Sequence, residues 1–278
     1  MKKLISFVFI MAIALIYTRC SKNDEFIFPE VSINTIPDSV KNNLIVDIEK
    51  TEEYDTIPSL PQKCIYLTID DAPLNGSEYI DSIVSAEKIK TNIFLVGNSI
   101  DGSGKFKKYH KKLEENPYIE IYNHSYSHAN NRYADYYKDP ESVLEDFKKN
   151  QDDFNISSKI ARLPGRNLWQ LGEKKKNYRQ TGATSAELLV NNGYKVFGWD
   201  IEWKYDPKNY TPQQTIDELI KEIENLYNSS RTFTSNHVIL LMHDQMFAKA
   251  NKKNNLQELI LKLKESGYTF EYLTSYPE

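Results

Sequence analysis

The chain has 278 residues, with 35 Lys and Arg against 39 Asp and Glu, a formal net charge of −4, and only 2 Cys and 5 His. So few cysteines in so long a chain exclude a disulfide-stapled scaffold. The acidic balance excludes the broad basic face that nucleic-acid binding requires. The length suffices for one large domain with a substantial core, or for two small ones.

Residues 1–20 read MKKLISFVFIMAIALIYTRC. Lys2 and Lys3 precede an apolar run, Leu4 to Tyr17, that is too short to span a bilayer comfortably. The run ends at Cys20 and resembles a bacterial lipoprotein signal. That resemblance implies a leader over 1–19, removed to leave Cys20 as the lipid-bearing first residue. Losing Lys2, Lys3 and Arg19 with the leader takes the formal charge from −4 to −7. The polar stretch Ser21-Lys22-Asn23-Asp24-Glu25 resembles the export tethers of surface lipoproteins in some Gram-negative bacteria. The expected location is therefore the bacterial cell envelope, lipid-anchored to the outer membrane and exposed at the surface, with no other membrane contact. Residues 20–61, broken by Pro29, Pro37, Pro58 and Pro61, read as a tether and lead-in. Cys64, in an apolar run, reads as a buried thiol.

From residue 62 to 278 the pattern becomes regular, and this stretch is the predicted main folded domain. Short β-branched and aromatic runs predict strands near 63–69, 92–96, 118–122, 159–162, 194–199, 237–242 and 268–273. Helical spacing predicts helices near 78–89, 105–115, 139–154, 183–192, 212–227 and 253–265. Pro140 and Pro212 fall where a first helical turn tolerates proline. Alternation of this kind specifies a parallel α/β fold, either an open sheet or a barrel one unit short of eight. No glycine-rich phosphate loop follows the first strand, so a nucleotide-binding fold has no support.

Sites in parallel α/β folds form where loops leave the C-terminal ends of strands. Asp70-Asp71-Ala72-Pro73 follows the first strand, His124-Ser125-Tyr126-Ser127-His128 the third, and Arg162-Leu163-Pro164-Gly165 the fourth. Trp199-Asp200-Ile201-Glu202-Trp203 ends the fifth and His243-Asp244 the sixth. Adjacent carboxylates at a strand end point in different directions, so Asp70 and Asp71 can hold different jobs. His124 and His128, at i and i+4, would share one face of a helical turn and reach one metal, with a third oxygen ligand completing an open catalytic set.

These motifs resemble those of the polysaccharide deacetylases, the NodB-homology domain or carbohydrate esterases of family four. Thr68 to Pro73 is similar to their first motif, Asn123 to His128 to the second, and Arg162 to Gly165 to the third. Trp199 to Trp203 corresponds loosely to the fourth, and Leu240 to Asp244 to the fifth. The resemblance implies a distorted (β/α)7 barrel and metal-dependent removal of acetyl groups from a polysaccharide or oligosaccharide. By motif position, Asp71, His124 and His128 would hold a divalent metal, with zinc expected. Asp70 would be the general base acting on water activated by the metal, and Arg162 would orient it. His243 would be the general acid, and the Gly165 N–H would help hold the oxyanion. Trp203 and Leu241 would wall the acetyl pocket. Asp200 is the expected support for His243, with Glu202 and Asp206 as rivals. Ala72 replaces the family's glycine, implying no strict need for positive φ there, and Gly165 replaces an aromatic residue, which opens the subsite.

The remaining features read as structural. His110 belongs to a solvated lysine-rich helix face, His237 is a structural polar group, and Lys174-Lys175-Lys176 lies in a loop. Trp169 either stacks on a sugar or pins that loop. The expected partner is an acetylated glycan, with no nucleic acid and no protein partner legible. The alternatives are a catalytically silent glycan-binding lipoprotein with the same fold, and a glycoside hydrolase using paired carboxylates, which leaves the histidines unexplained.

Overall fold

The computed structural model describes residues 62–248 and 255–278. The leader, Cys20 and the lead-in therefore lie outside the described residues. In chain order the elements begin with β1 (Lys63–Ala72), α1 (Ser77–Glu87), β2 (Thr91–Leu95), α2 (Gly97–Asp101), α3 (Gly104–Glu115) and β3 (Ile119–Asn123). Next come α4 (Tyr133–Tyr136), α5 (Pro140–Asp153), β4 (Ile160–Ala161), β5 (Trp169–Leu171), β6 (Lys174–Lys176) and α6 (Ala183–Asn191). The chain ends with β7 (Lys195–Val196), β8 (Ile201–Glu202), α7 (Ile216–Asn228), β9 (His237–His243), α8 (Leu256–Glu265) and β10 (Tyr268–Phe270). Among the described residues no helix is long and apolar enough to cross a membrane.

Hydrogen bonding orders the strands β6-β5-β7-β4-β3-β2-β1-β9-β8, with β10 also paired to β1. All pairings are parallel except those of β5 with β6 and with β7. β1 is central, and from Cys64 to Asp70 every residue is buried, as a parallel strand covered on both faces requires. On one face its Ile65, Leu67 and Ile69 join a core with Ile80 and Val84 of α1, Leu219 and Ile223 of α7, and Leu259 and Leu263 of α8.

The run predicted as one strand over 194–199 is broken, and the break closes the fold. β7 ends on one side of the sheet and β8 begins on the other. Between them the Phe197 amide donates to Ala161 O at 2.9 Å, and the Asp200 amide donates to Ile239 O at 3.0 Å. Four residues thus join the two ends of the curled sheet, giving the distorted barrel. Gly198 makes the crossing possible, since a Cβ there would lie 2.1 Å from Asn167 Oδ1 and 2.3 Å from Trp169 Nε1.

Helix starts follow their caps. Asp139 caps α5 with Pro140 in its first turn, as expected. α7 begins at Ile216 rather than at Pro212, because Thr215 and Glu218 form a reciprocal capping box. Lys174 to Lys176 is not a loop but strand β6, paired with β5 at the sheet edge, where charge discourages further pairing. Trp169 is fully buried and stacked on Phe233 with centroids 4.2 Å apart, so it pins this region and cannot meet a sugar. His110 is not on a solvated face: its side chain is 12 % exposed and packs edge-on to Phe154. His237 Nδ1 lies 2.8 Å from the Tyr66 hydroxyl, a structural contact, and Cys64 is a buried free thiol.

Candidate active site

β1 and β9 run in register with Asp70 opposite His243, which sets these two residues side by side at the C-terminal rim. The pairing of β1 with β2 slips between Ile69 and Ala72, and Asp71 adopts φ +68°. That left-handed residue lets two consecutive carboxylates serve different places, and aspartate tolerates it better than most. The positive φ sits on Asp71, so Ala72, fully buried, meets no backbone penalty.

Asp70 turns inward onto Arg162, and both side chains are almost wholly buried. Arg162 Nη1 donates to Asp70 Oδ1 at 2.7 Å and to Thr68 Oγ1 at 2.8 Å. Its Nε and Nη2 donate to the carbonyls of Phe197 and Gly198, and the guanidinium lies 4.1 Å from the centroid of the Phe94 ring. Burying such a pair is costly, and this density of hydrogen bonds offsets the desolvation.

His124 and His128 converge, but not on a helical turn. Ser125 has φ +66°, and His128, Ala129, Asn130 and Asn131 all have φ between +46° and +59°. The loop is thus a left-handed turn, disfavoured by roughly 1–2 kcal/mol per residue for L-amino acids and held by its surroundings. Asn123 Oδ1 accepts from the Ser125 amide and from Asn150 Nδ2, and Ser125 Oγ accepts from the His128 amide. The Asp146 carboxylate accepts from the Ser127 amide and hydroxyl and from the Tyr136 hydroxyl. Asp146 and Asn150 were not singled out from the sequence. The available signal was a carboxylate and an amide at helical spacing among Val143, Leu144 and Phe147 on the apolar face of α5.

The Arg162 carbonyl lies 2.8 Å from His124 Nδ1. A carbonyl can only accept, so the proton sits on Nδ1 and the lone pair of Nε2 faces the carboxylates. Nε2 is 3.5 Å from Asp70 Oδ2 and 3.6 Å from Asp71 Oδ1, while His128 Nε2 is 3.1 Å from the same Asp71 oxygen. One ligand atom from each of Asp71, His124 and His128 lies within 4.8 Å of the others. Asp71 Oδ1 is buried and makes no hydrogen bond of acceptable geometry.

Burial alone would raise the Asp71 carboxyl, but the imidazoles of His128, His243 and His124 outweigh it and hold it well below the usual carboxylate range. Burial pushes the His124 imidazole down, towards the neutral form that ligates metal. At His128 burial also acts downward, yet the Asp71 carboxylate prevails and raises it. An orphaned carboxylate oxygen between two imidazole nitrogens fits a divalent cation of the zinc type.

Other expected members lie elsewhere. Asp200 does not support His243: its Oδ1 accepts from the Phe233 amide at 2.7 Å and its Oδ2 from the Ile239 amide at 2.9 Å. Ile239 precedes His243 by four residues on β9, about 13 Å along a strand, so Asp200 braces the strand far below the rim. Asp206 instead closes a surface turn through Lys208 and Asn209. His243 Nδ1 is buried without a hydrogen-bond partner, and the ring packs against Tyr205 with centroids 5.0 Å apart. Trp203 and Leu241 are buried to 0 % and 2 % exposure, and neither is among the described residues that line the groove beside Asp71 and His128. Trp203 Nε1 donates to Gln214 O and the ring packs on Phe247. Gly165 has φ +63°, and a Cβ there would lie 3.1 Å from the Tyr133 ring, which also meets His128 edge-on. Asp71 and His128 open into a groove of about 590 Å³.

Residues 58–165 match the family model for polysaccharide deacetylases. The chain thus carries a polysaccharide deacetylase domain. YheN of Bacillus subtilis strain 168, assigned by name to the polysaccharide deacetylases, is 26 % identical over 225 residues, covering 78 % of this chain and 70 % of its own. A chitin disaccharide deacetylase of Vibrio alginolyticus is 22 % identical, covering 76 % and 71 %. The solved structure of a Streptococcus mutans esterase of carbohydrate esterase family four shares the deacetylase fold. Its TM-score is 0.56 at 19 % identity, covering 76 % of this chain and 85 % of that one.

Beneath this rim, Asp244 accepts from the Gly76 amide at 2.7 Å and from the Ser77 hydroxyl, tying β9 to α1. Burial lifts its carboxyl to about 6 against those hydrogen bonds. The unfolded value is about 4, so the folded protein holds this proton more tightly. The resulting stability is complete below about pH 4 and is lost as pH rises through about 6. Urea unfolding should therefore show Asp244→Asn losing less stability than wild type between pH 4 and 7, by on the order of 2 kcal/mol. Equal losses would remove Asp244 as the source.

Proposed function

We propose that the protein is a metal-dependent hydrolase that removes acetyl groups from a polysaccharide or oligosaccharide. The observation that carries this reading is the convergence of Asp71, His124 and His128 on one point, with Asp70 and His243 side by side on adjacent strand ends. Asp71, His124 and His128 would hold the cation, with zinc the best match to two imidazoles and a carboxylate. When bound, it supplies Lewis-acid chemistry, polarising a carbonyl and acidifying water beside it.

The residues of the chain supply the proton movements. Asp70 commits Oδ1 to Arg162, which fixes the carboxylate plane and leaves Oδ2 on the His124 side of the site. In this reading Oδ2 takes a proton from the attacking water. The His243 imidazole, opposite Asp70 in register, gives a proton to the leaving sugar nitrogen or oxygen. The Gly165 amide is the proposed donor to the oxyanion.

A second reading, glycan binding without hydrolysis, draws on one observation: His243 Nδ1 has no partner to hold the ring as an acid imidazole is usually held. Acetate release from acetylated glycans separates the two. The proposed function predicts release by zinc-loaded protein, its loss with chelator, and a fall of at least about a hundredfold in kcat for Asp70→Asn while zinc stays bound. Glycan binding without acetate release, indifferent to chelator, supports the second reading. The proposal includes anchoring of the protein at the bacterial surface through a lipid on Cys20. Cys20→Ser should then shift the protein from the membrane to the soluble fraction, and an unchanged distribution would exclude the lipid.

A further inference from the structure

One side of the groove plays no part in the proposed proton transfers. Tyr205, half-buried, packs its ring against His243, and Tyr210 lies next to it with centroids 6.0 Å apart and ring planes 31° apart. Tyr210 is 38 % exposed, one of two large hydrophobic side chains so exposed among the described residues. Both tyrosines line the groove that holds Asp71 and His128.

The loop between them is built to hold this arrangement. Tyr205 forms an antiparallel bridge with Pro212. The Asp206 carbonyl accepts from the Tyr210 amide at 2.7 Å, Asp206 Oδ1 from the Lys208 amide at 2.8 Å, and Asn209 Oδ1 from the Thr211 amide at 2.9 Å. Tyr210 itself has φ +60°, uncommon for a bulky residue and sustained only where neighbours impose it. An aromatic face ordered before binding loses little entropy when a ligand arrives.

Among the described residues the rest of the lining is uncharged. Beyond Asp71 and His128, the polar groups facing the groove are the amides of Asn98, Asn130, Asn131 and Gln245 and the hydroxyls of Ser99 and Ser127. Amides and hydroxyls both donate and accept, which suits sugar hydroxyls and acetamido groups. Among the described residues no Lys or Arg lines the groove, so a sugar carboxylate or sulfate would lose hydration against them without a cationic partner.

We infer that Tyr205 and Tyr210 form a stacking platform for a pyranose ring beside the reacting sugar, and that the groove takes an uncharged glycan chain. The inference rests on the deacetylase reading of the adjoining residues. The apolar face of a pyranose lies on the tyrosine rings, while the amides opposite bond its hydroxyls.

Calorimetric titration in chelator, where turnover does not intrude, tests it with two probes: a pentamer of N-acetylglucosamine and a pentamer of galacturonate. The neutral pentamer should bind wild type at least tenfold more tightly than the galacturonate pentamer. Tyr210→Ala should weaken neutral binding about tenfold, and Tyr210→Phe should stay within twofold of wild type, as loss and retention of ring stacking predict. Equal affinity of wild type and Tyr210→Ala, equal affinity for the two probes, or no binding of the neutral pentamer would each overturn the inference. Acetate assays separate its fate from that of the parent reading. Release with no dependence on Tyr210 overturns the platform alone. Tyr210-dependent binding with no release under zinc supports the platform and overturns the deacetylase reading.

Discussion

A guanidinium and a carboxylate meet at the centre of this site with almost no access to water, and the rest of the rim is arranged around them. Arg162 reaches from the end of β4 to Asp70 on β1, and on the way it bonds Thr68 of β1 and the carbonyls of Phe197 and Gly198. Its own carbonyl fixes the proton of His124. One residue thereby positions the inner carboxylate, sets the tautomer of an imidazole, and anchors the four-residue crossing that joins the ends of the sheet. Arginine suits the position because its rigid fork serves several acceptors at once.

The outer half of the site depends on backbone that most residues avoid. Asp71, Ser125 and the run from His128 to Asn131 are left-handed, and Tyr210 is as well. Such conformations persist where surrounding contacts over-determine them. Asn123, Asp146 and Asn150 supply those contacts under the histidine loop. Under the proposed function rigidity matters because a cation selects its ligands by geometry, and a loose imidazole would lose the convergence on Asp71.

The strand ends were legible in the sequence because residue type and position reinforce each other there. Carboxylates after an apolar run, paired histidines after another and a histidine after a third must meet if the strands are parallel. What the sequence could not provide was the rung at which neighbouring strands pair. Asp200 ends its apolar run like the others, yet its partner on β9 is Ile239 rather than a residue at the rim. The burial of Trp203 and Leu241 was hidden for a related reason: motif position does not say that β9 is buried on both faces, or that Trp203, just past β8, packs on Phe247. The helical reading of His124 and His128 failed because i, i+4 spacing also fits a left-handed loop, for which Asn130-Asn131 was the available hint. β6 went unseen because its lysine run lacks the apolar alternation of a strand, β5 because three residues are too few to show a period, and the Tyr205–Tyr210 pair lies in a loop with no motif.

The central claim, that Arg162 and Asp70 act as one buried unit, is tested most directly by a double-mutant cycle on unfolding free energy. Arg162→Met leaves the carboxylate buried and unpaired and should cost about 3–5 kcal/mol in wild type. In the Asp70→Asn background the same substitution should cost less by at least about 1 kcal/mol. Costs that add to within about 0.5 kcal/mol would contradict the account.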